Sequence, residues 1–270
     1  MPYEEYELIR IAVDHGICRA TIDNPPINLL DVPLIAEIGR LTEEVAADDE
    51  VRVLVVDSAD PKIFVAHADV GLIMDLPADD TALHDDLSPF HLAMERFRTL
   101  PKATIAVIEG VCRGGGSEWA MAFDMRYAAL GKAVFGQPEV AVGIIPGGGG
   151  TQRLPRLVGR GRALEVILGG MDVDAATAEA WGYVDRALPA EQLRRFVDRL
   201  AGRIASFPAF AIANAKRAVD AALQDGDIAT GLRVEDQLFR ETLAQPEARQ
   251  RLQAVIDAGA QTRAFELGDR

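Results

Sequence analysis

A short β-branched run, Ala103–Ile108, leads into residues 110–120, GVCRGGGSEWA, and this junction constrains the chain more than any other stretch. Three consecutive glycines, Gly114 to Gly116, separate the run from an apolar segment with helical character. Glycines at a strand-to-helix turn let backbone approach a ligand closely, and the first N–H groups of a helix have no partner within it. Glu118 falls on the first turn of that helix. Backbone donors with a carboxylate beside them suit chemistry that builds negative charge on an oxygen while a proton moves nearby.

The remaining sequence supplies the frame. With 270 residues, 49% of them hydrophobic, the chain is long enough for one large domain with an adequate core. Its net charge of −14 argues against a nucleic-acid or anionic-membrane partner. An anionic small molecule is still compatible, because helix N-termini or a local basic patch can hold one. Cys18 and Cys112 lie far apart and form no CxxC, which reads as two buried thiols in a reducing compartment. The acidic start MPYEEYELIR lacks a signal core and no apolar run approaches a membrane span, so a cytoplasmic protein is expected.

Residues 6–13 and Ile17–Ile22 read as strands joined at Asp14, His15 and Gly16. Residues 33–47 show helical spacing through Leu34, Ile35, Ile38, Leu41 and Val45, and 51–56 read as a buried strand. This order predicts a crossover feeding a largely parallel sheet. Residues 58–70 form a loop containing FVAHADV, with Asp69 placed to cap a short helix. Residues 77–86, rich in Asp and small side chains, read as mobile surface. A helix over 88–100 presents Phe90, Met94 and Phe97 on one side, and strands follow at 103–108, 125–129 and 133–135. Residues 143–150, GIIPGGGG, are too glycine-rich for regular structure and suit a sharp, crowded turn. Short helices are predicted at 151–158, capped by Thr151, and at 161–168. Longer ones are predicted at 190–206, 208–223, 228–243 and 247–258. Strands thus concentrate before residue 136, giving an α/β core followed by a helical C-terminal region.

Glu139, in FGQPEV, is the second carboxylate delivered by a turn. Either glutamate alone is ordinarily a helix-end or solvated turn residue. Two of them presented from tight turns on one sheet core suit acid–base work on a shared water or substrate atom. Other chemistries have less support. Neither glycine group gives GxxxxGK[ST] or a convincing GxGxxG context. His15, His67, His84 and His91 show no metal-ligand spacing, and there is no GxSxG.

Three motifs, taken in order, resemble the crotonase superfamily, the enoyl-CoA hydratase/isomerase family. Residues 64–69 match its F-x-A-G-A-D loop, 114–118 its G-G-G-x-E turn, and 135–139 with 143–151 its F-G-x-P-E and G-x-x-P-x-x-G-G-T segment. The resemblance implies a crotonase-like core of repeated β-β-α units over residues 1–200. A C-terminal helical region over 201–270 would serve oligomerisation and active-site cover, in a homotrimer or dimer of trimers. It implies an oxyanion hole from the N–H groups of Ala68 and Gly115, and Glu118 and Glu139 as the catalytic pair. Retention of both glutamates favours syn addition of water to a 2-enoyl-CoA, giving a 3-hydroxyacyl-CoA through an enolate. Lys62 matches a position that meets a CoA phosphate, and the Ala66 carbonyl one that receives the adenine amino group. The CoA thioester is substrate, and no cofactor or metal is implied. Isomerisation, C–C cleavage and a non-catalytic acyl-CoA-binding subunit are the alternatives. One glutamate must carry a raised pKa to act as an acid near neutrality.

The chain also departs from the family pattern. His67 replaces the usual glycine between two alanines, where a positive φ would strain it. Arg113 stands where a small polar residue often precedes the glycines, so His67 and Arg113 are candidate pocket modifiers. Gly71 occupies a place where lysine often follows the loop, and the ending FELGDR lacks the basic character of many relatives.

Overall fold

The computed structural model describes residues 3–77, 82, 84–223 and 227–267. Of the segment read as mobile surface, residues 78–81 and 83 lie outside the described residues. Strands β1 (Ile9–Asp14) and β2 (Ile17–Ile22) pair antiparallel, with Asp14 opposite Ile17. His15 and Gly16 between them have φ of 49° and 78°. Two left-handed central residues match the right-handed twist of the strands they join. Helix α1 (Val32–Ala47) is capped by the Asp31 side chain, which accepts from Leu34 N–H, and buries Leu34, Ile38, Leu41 and Val45 at helical spacing. It returns the chain to β3 (Val53–Ser58), parallel to β2 and buried along its whole length.

Three strand pairs then follow one rule. The first pair is β3 with β4 (Ile63–Val65), followed by α2 (Val70–Met74) and α3 (Pro89–Arg98). The second is β5 (Ala103–Ile108) with β6 (Val111–Arg113), followed by α4 (Gly114–Ala120). The third is β7 (Met125–Ala129) with β8 (Val134–Gly136), followed by a 3₁₀ turn at Glu139–Val142. The first strand of each pair joins a six-stranded sheet and the second a four-stranded one. This is the repeated β-β-α arrangement.

Helices α5 (Gly150–Val158) and α6 (Arg160–Gly169) come next. They are followed by β9 (Val173–Asp174), α7 (Ala175–Trp181), β10 (Arg186–Leu188) and α8 (Ala190–Ala205). The large sheet has the order β1-β2-β3-β5-β7-β10 and the small one β4-β6-β8-β9. Strands concentrate before residue 136 as expected, with two short ones, β9 and β10, added later at the edges of the small and large sheets. One expectation is corrected: Thr151 does not cap α5, which starts from Gly149 with φ of 109° and no side-chain cap. The Gly150 N–H at its start is instead bonded by the carboxylate of Glu118.

Trp119 of α4 is fully buried and packs against Phe64 of β4, Phe97 of α3 and Phe123, with ring centroids 6.0, 5.7 and 5.3 Å away. The first compact unit ends at Ser206. The second contains α9 (Ala209–Ala221), α10 (Ile228–Leu243), α11 (Pro246–Asp257) and α12 (Arg263–Leu267). Within it, Asn214 Nδ2 donates to Leu238 O at 3.4 Å and to Thr242 Oγ1 at 3.3 Å, joining α9 to α10. Among the described residues, no helix is long and apolar enough to cross a membrane.

Candidate active site

The site is built where three parallel strands of the small sheet end side by side. Ala68 follows β4, Gly115 follows β6 and Glu139 follows β8, and these strands are neighbours in the order β4-β6-β8. Turns at the C-terminal ends of parallel strands commonly gather functional groups on one edge.

Close approach explains the three glycines. A Cβ on Gly115 would lie 2.9 Å from Ala68 Cβ and 3.2 Å from Ala68 N, and one on Gly116 would lie 2.5 Å from Val65 O. Gly114 has φ of +49°, and its Cβ would meet Glu139 Oε1 at 3.1 Å and His67 Cβ at 3.4 Å. The start of α4 is therefore docked on the segment around Ala68. Arg113 gives that helix no side-chain cap for its first N–H groups. Leu30 pins the other donor: its N–H bonds His67 O and its carbonyl accepts from Asp69 N–H, both at 3.0 Å. This bridge uses the groups on either side of Ala68, whose own N–H has no backbone partner among the described residues. Asp69 caps α2, accepting from Gly71 N–H.

Glu118 is buried on α4, with Oε1 accepting from Gly148 N–H at 2.7 Å and Gly150 N–H at 2.8 Å. The run of glycines is a cradle around this carboxylate. A Cβ on Gly148 would meet Glu118 Oε2 at 2.5 Å, and one on Gly150 would meet Gln137 Oε1 at 2.6 Å. Burial pushes the Glu118 carboxyl above its ordinary pKa, while the two N–H groups, Arg153 and His91 pull it back.

Glu139 begins the 3₁₀ turn after β8. Its Oε2 is buried and has no hydrogen-bond partner among the described residues. Its pKa is raised to about 7, chiefly by burial; its own backbone N–H opposes the rise and the charge of Glu118 adds to it. The two carboxyls thus sit in unlike surroundings, one held by two donors and the other with one buried oxygen unpartnered among the described residues.

The other sequence candidates fall as follows. Lys62 is exposed just before β4, with its N–H bonded to Asp60 Oδ1 at 2.8 Å. Ala66 is buried, and its N–H donates to Ile27 O at 3.3 Å. His67 places Nδ1 2.8 Å from Ala68 O. Its backbone is not left-handed: the described non-glycine residues with positive φ are Tyr3, Glu5, His15, Asn28 and Gln261. The strain expected from replacing glycine is therefore absent at this position. The guanidinium of Arg113 bonds both oxygens of Asp172, at 2.5 Å each, tying β6 to the segment before β9.

The sequence reading missed a supporting layer. Fully buried Gln137 donates from Nε2 to Gly114 O at 3.3 Å, behind the peptide whose N–H belongs to Gly115. Ser117 Oγ and Tyr183 OH meet at 2.5 Å beneath the same turn. Gln137 lies within FGQPEV, so its motif was visible even though its role was not.

A family model described as enoyl-CoA hydratase/isomerase matches residues 12–261. A short-chain-enoyl-CoA hydratase from Clostridium acetobutylicum is 33% identical over 242 residues, covering 89% of this chain and 91% of that protein. A Dictyostelium discoideum protein described as a probable mitochondrial enoyl-CoA hydratase is 33% identical over 238 residues, covering 88% of this chain and 83% of that one. The crystal structure of an enoyl-CoA hydratase from Bacillus anthracis matches with a TM-score of 0.85 at 30% identity, covering 93% of this chain and 97% of that one. With the strand pairs, the glycine turns and the two carboxyls in their places, the chain belongs to the enoyl-CoA hydratase/isomerase family.

Proposed function

We propose that the protein adds water in the syn sense across a 2-enoyl-CoA, giving a 3-hydroxyacyl-CoA. The observation that carries this reading is the pairing of a cradled carboxyl, Glu118, with one of raised pKa whose Oε2 has no partner among the described residues, Glu139. The thioester oxygen sits between the N–H groups of Ala68 and Gly115, which stabilise the enolate as charge moves onto it. Glu118 Oε1 is occupied by two backbone donors, so Oε2 is the oxygen that receives a proton from water. The water oxygen bonds to the β-carbon. Glu139 gives its proton to the α-carbon from the same side, and transfer of the proton from Glu118 to Glu139 resets the pair.

Lys62 takes a CoA phosphate and the Ala66 carbonyl takes the adenine amino group. The CoA thioester is a substrate, with water as the second reactant. The family assembly, a trimer or dimer of trimers, gives the exposed Ile228, Leu232 and Phe239 of α10 an apolar surface to meet. The net charge of −14 and two buried thiols fit a cytosolic enzyme without a nucleic-acid partner.

The test is loss of the conjugated-thioester absorbance when protein is added to crotonyl-CoA and to longer 2-enoyl-CoAs, with product mass increased by one water. Glu118→Gln and Glu139→Gln are each expected to lower kcat by roughly 10²–10⁴-fold. No turnover at any chain length, or full activity in both variants, overturns the reading. A product of unchanged mass identifies isomerisation instead.

A further inference from the structure

Behind the glycine cradle lies a charged assembly that the reaction as described does not use. Arg153, on the first turns of α5, has a side chain only 14% exposed. Its Nη1 donates to Gly148 O at 3.0 Å and its Nη2 to Glu95 Oε1 of α3 at 2.7 Å. Glu95 Oε2 accepts from Arg98 Nε at 2.8 Å. The guanidinium also explains Gly149: a Cβ there would lie 2.0 Å from Arg153 Nη1, and the residue has φ of +109°. One side chain thus holds the outward carbonyl of the turn whose inward N–H groups, at Gly148 and Gly150, hold Glu118. Phe90, also on α3, closes the same turn, since a Gly148 Cβ would lie 2.7 Å from its ring.

We propose that Arg153, anchored by Glu95, is a positioning residue that locks the Gly148–Gly150 backbone onto the Glu118 carboxylate and sets a positive charge beside it. The proposal rests on the hydration reading and deepens it. Glycine-rich turns hold no fixed shape by themselves, because glycine explores more backbone conformations than any other residue. Two donors on one carboxylate oxygen require both peptides to stay in register, and Arg153 fixes the carbonyl between them. Its charge acts on Glu118 in the same direction as the two N–H groups. The groups facing Glu118 are Arg153 from α5, His91 from α3 and Glu139 from the 3₁₀ turn, of which the first two favour its ionised form. Burial raises the Glu95 carboxyl, but the guanidinium groups of Arg98 and Arg153 outweigh this and hold it below the ordinary range. Glu95 therefore stays charged as an anchor.

The experiment compares wild type, Arg153→Gln and Arg153→Lys by kcat, KM and the pH dependence of kcat on crotonyl-CoA. Thermal unfolding of each variant is measured alongside. Arg153→Gln is expected to lose on the order of 10²-fold in kcat with KM within about twofold, because a small misplacement of a reacting group costs that much. Its acid limb of kcat is expected to move to higher pH. Arg153→Lys keeps the charge but cannot fork between Gly148 O and Glu95, so kcat falls while the acid limb stays at the wild-type position. If Arg153→Gln does not fold, Arg153→Lys decides alone: wild-type kcat in a folded lysine variant overturns the proposal. A glutamine variant that loses kcat with an unmoved acid limb also overturns it. Wild type without hydratase activity sinks the hydration reading itself, a result separate from either.

Discussion

Glu139 holds a buried oxygen without a partner in a protein interior where such atoms are ordinarily bonded. Its pKa of about 7, against an ordinary value near 4.5, means that the folded protein binds a proton there that the unfolded chain has released. Between those two values the native state carries more protons, so this residue's contribution to stability falls as pH rises through the window and is lowest above it. Glu139→Gln is therefore expected to gain stability relative to wild type as pH rises from 5 to 8, read as the difference in denaturation midpoint at several pH values (roughly the window set by linkage). A difference independent of pH contradicts the assigned environment. At this scale the sequence displayed the two glutamates and the glycines around them, because each sits in a compact local motif. It did not display Arg153 and Gln137, whose decisive partners lie 58 and 23 residues away. Their side chains have no local pattern that distinguishes them from any arginine or glutamine on a helix or turn.

Among the elements, α1 and α8 bury apolar residues at helical spacing, and the four long C-terminal helices lie within two residues of their predicted bounds. The two-residue hairpin turn was legible for the same local reason, with Gly16 after His15. Of the small sheet's strands only β8 was legible in the sequence, at 133–135; β4 and β6, with three residues each, and β9, with two, were not. Such lengths offer too few alternations for a period of two to register. What identifies them is the contact made by the next element. Gly116 is required because Val65 O, Cβ and Cγ1 of β4 all lie within 2.7 Å of the place where its Cβ would be. Gly116→Ala is expected to destabilise the fold by about 1–3 kcal/mol by forcing α4 off β4. It is also expected to lower kcat by shifting the neighbouring Gly115 N–H. Urea unfolding and steady-state kinetics on the same sample check both effects, and a neutral substitution shows that α4 is not docked as described.

At the scale of the whole first unit, the alternation of strands between two sheets makes the small sheet a partner to everything packed above it. The aromatic cluster around Trp119 connects β4, α3 and α4, and it includes the residue after Glu118. Trp119→Ala is expected to cost about 3–5 kcal/mol through lost packing and the cavity left behind. A midpoint shift far smaller than that in denaturant unfolding contradicts a single joined core. Composition predicted such a core and the order of elements predicted a parallel sheet, but neither reveals that the sheet is two sheets. That division depends on which short strands pair over long sequence separations.

The small sheet also acts as a ruler. Neighbouring strands lie about 4.8 Å apart, and an oxygen bonded by two N–H groups at about 2.9 Å each needs its donors separated by a little over one such interval. Ala68 and Gly115 leave strands one step apart, and Glu139 leaves the strand one step further on. On the hydration reading, the thioester oxygen is measured by the first interval and the proton donor to the neighbouring carbon by the second. Substrate chemistry is thus graduated in strand spacings, and an inserted residue in any of these three-residue strands would move one mark and leave the others in place.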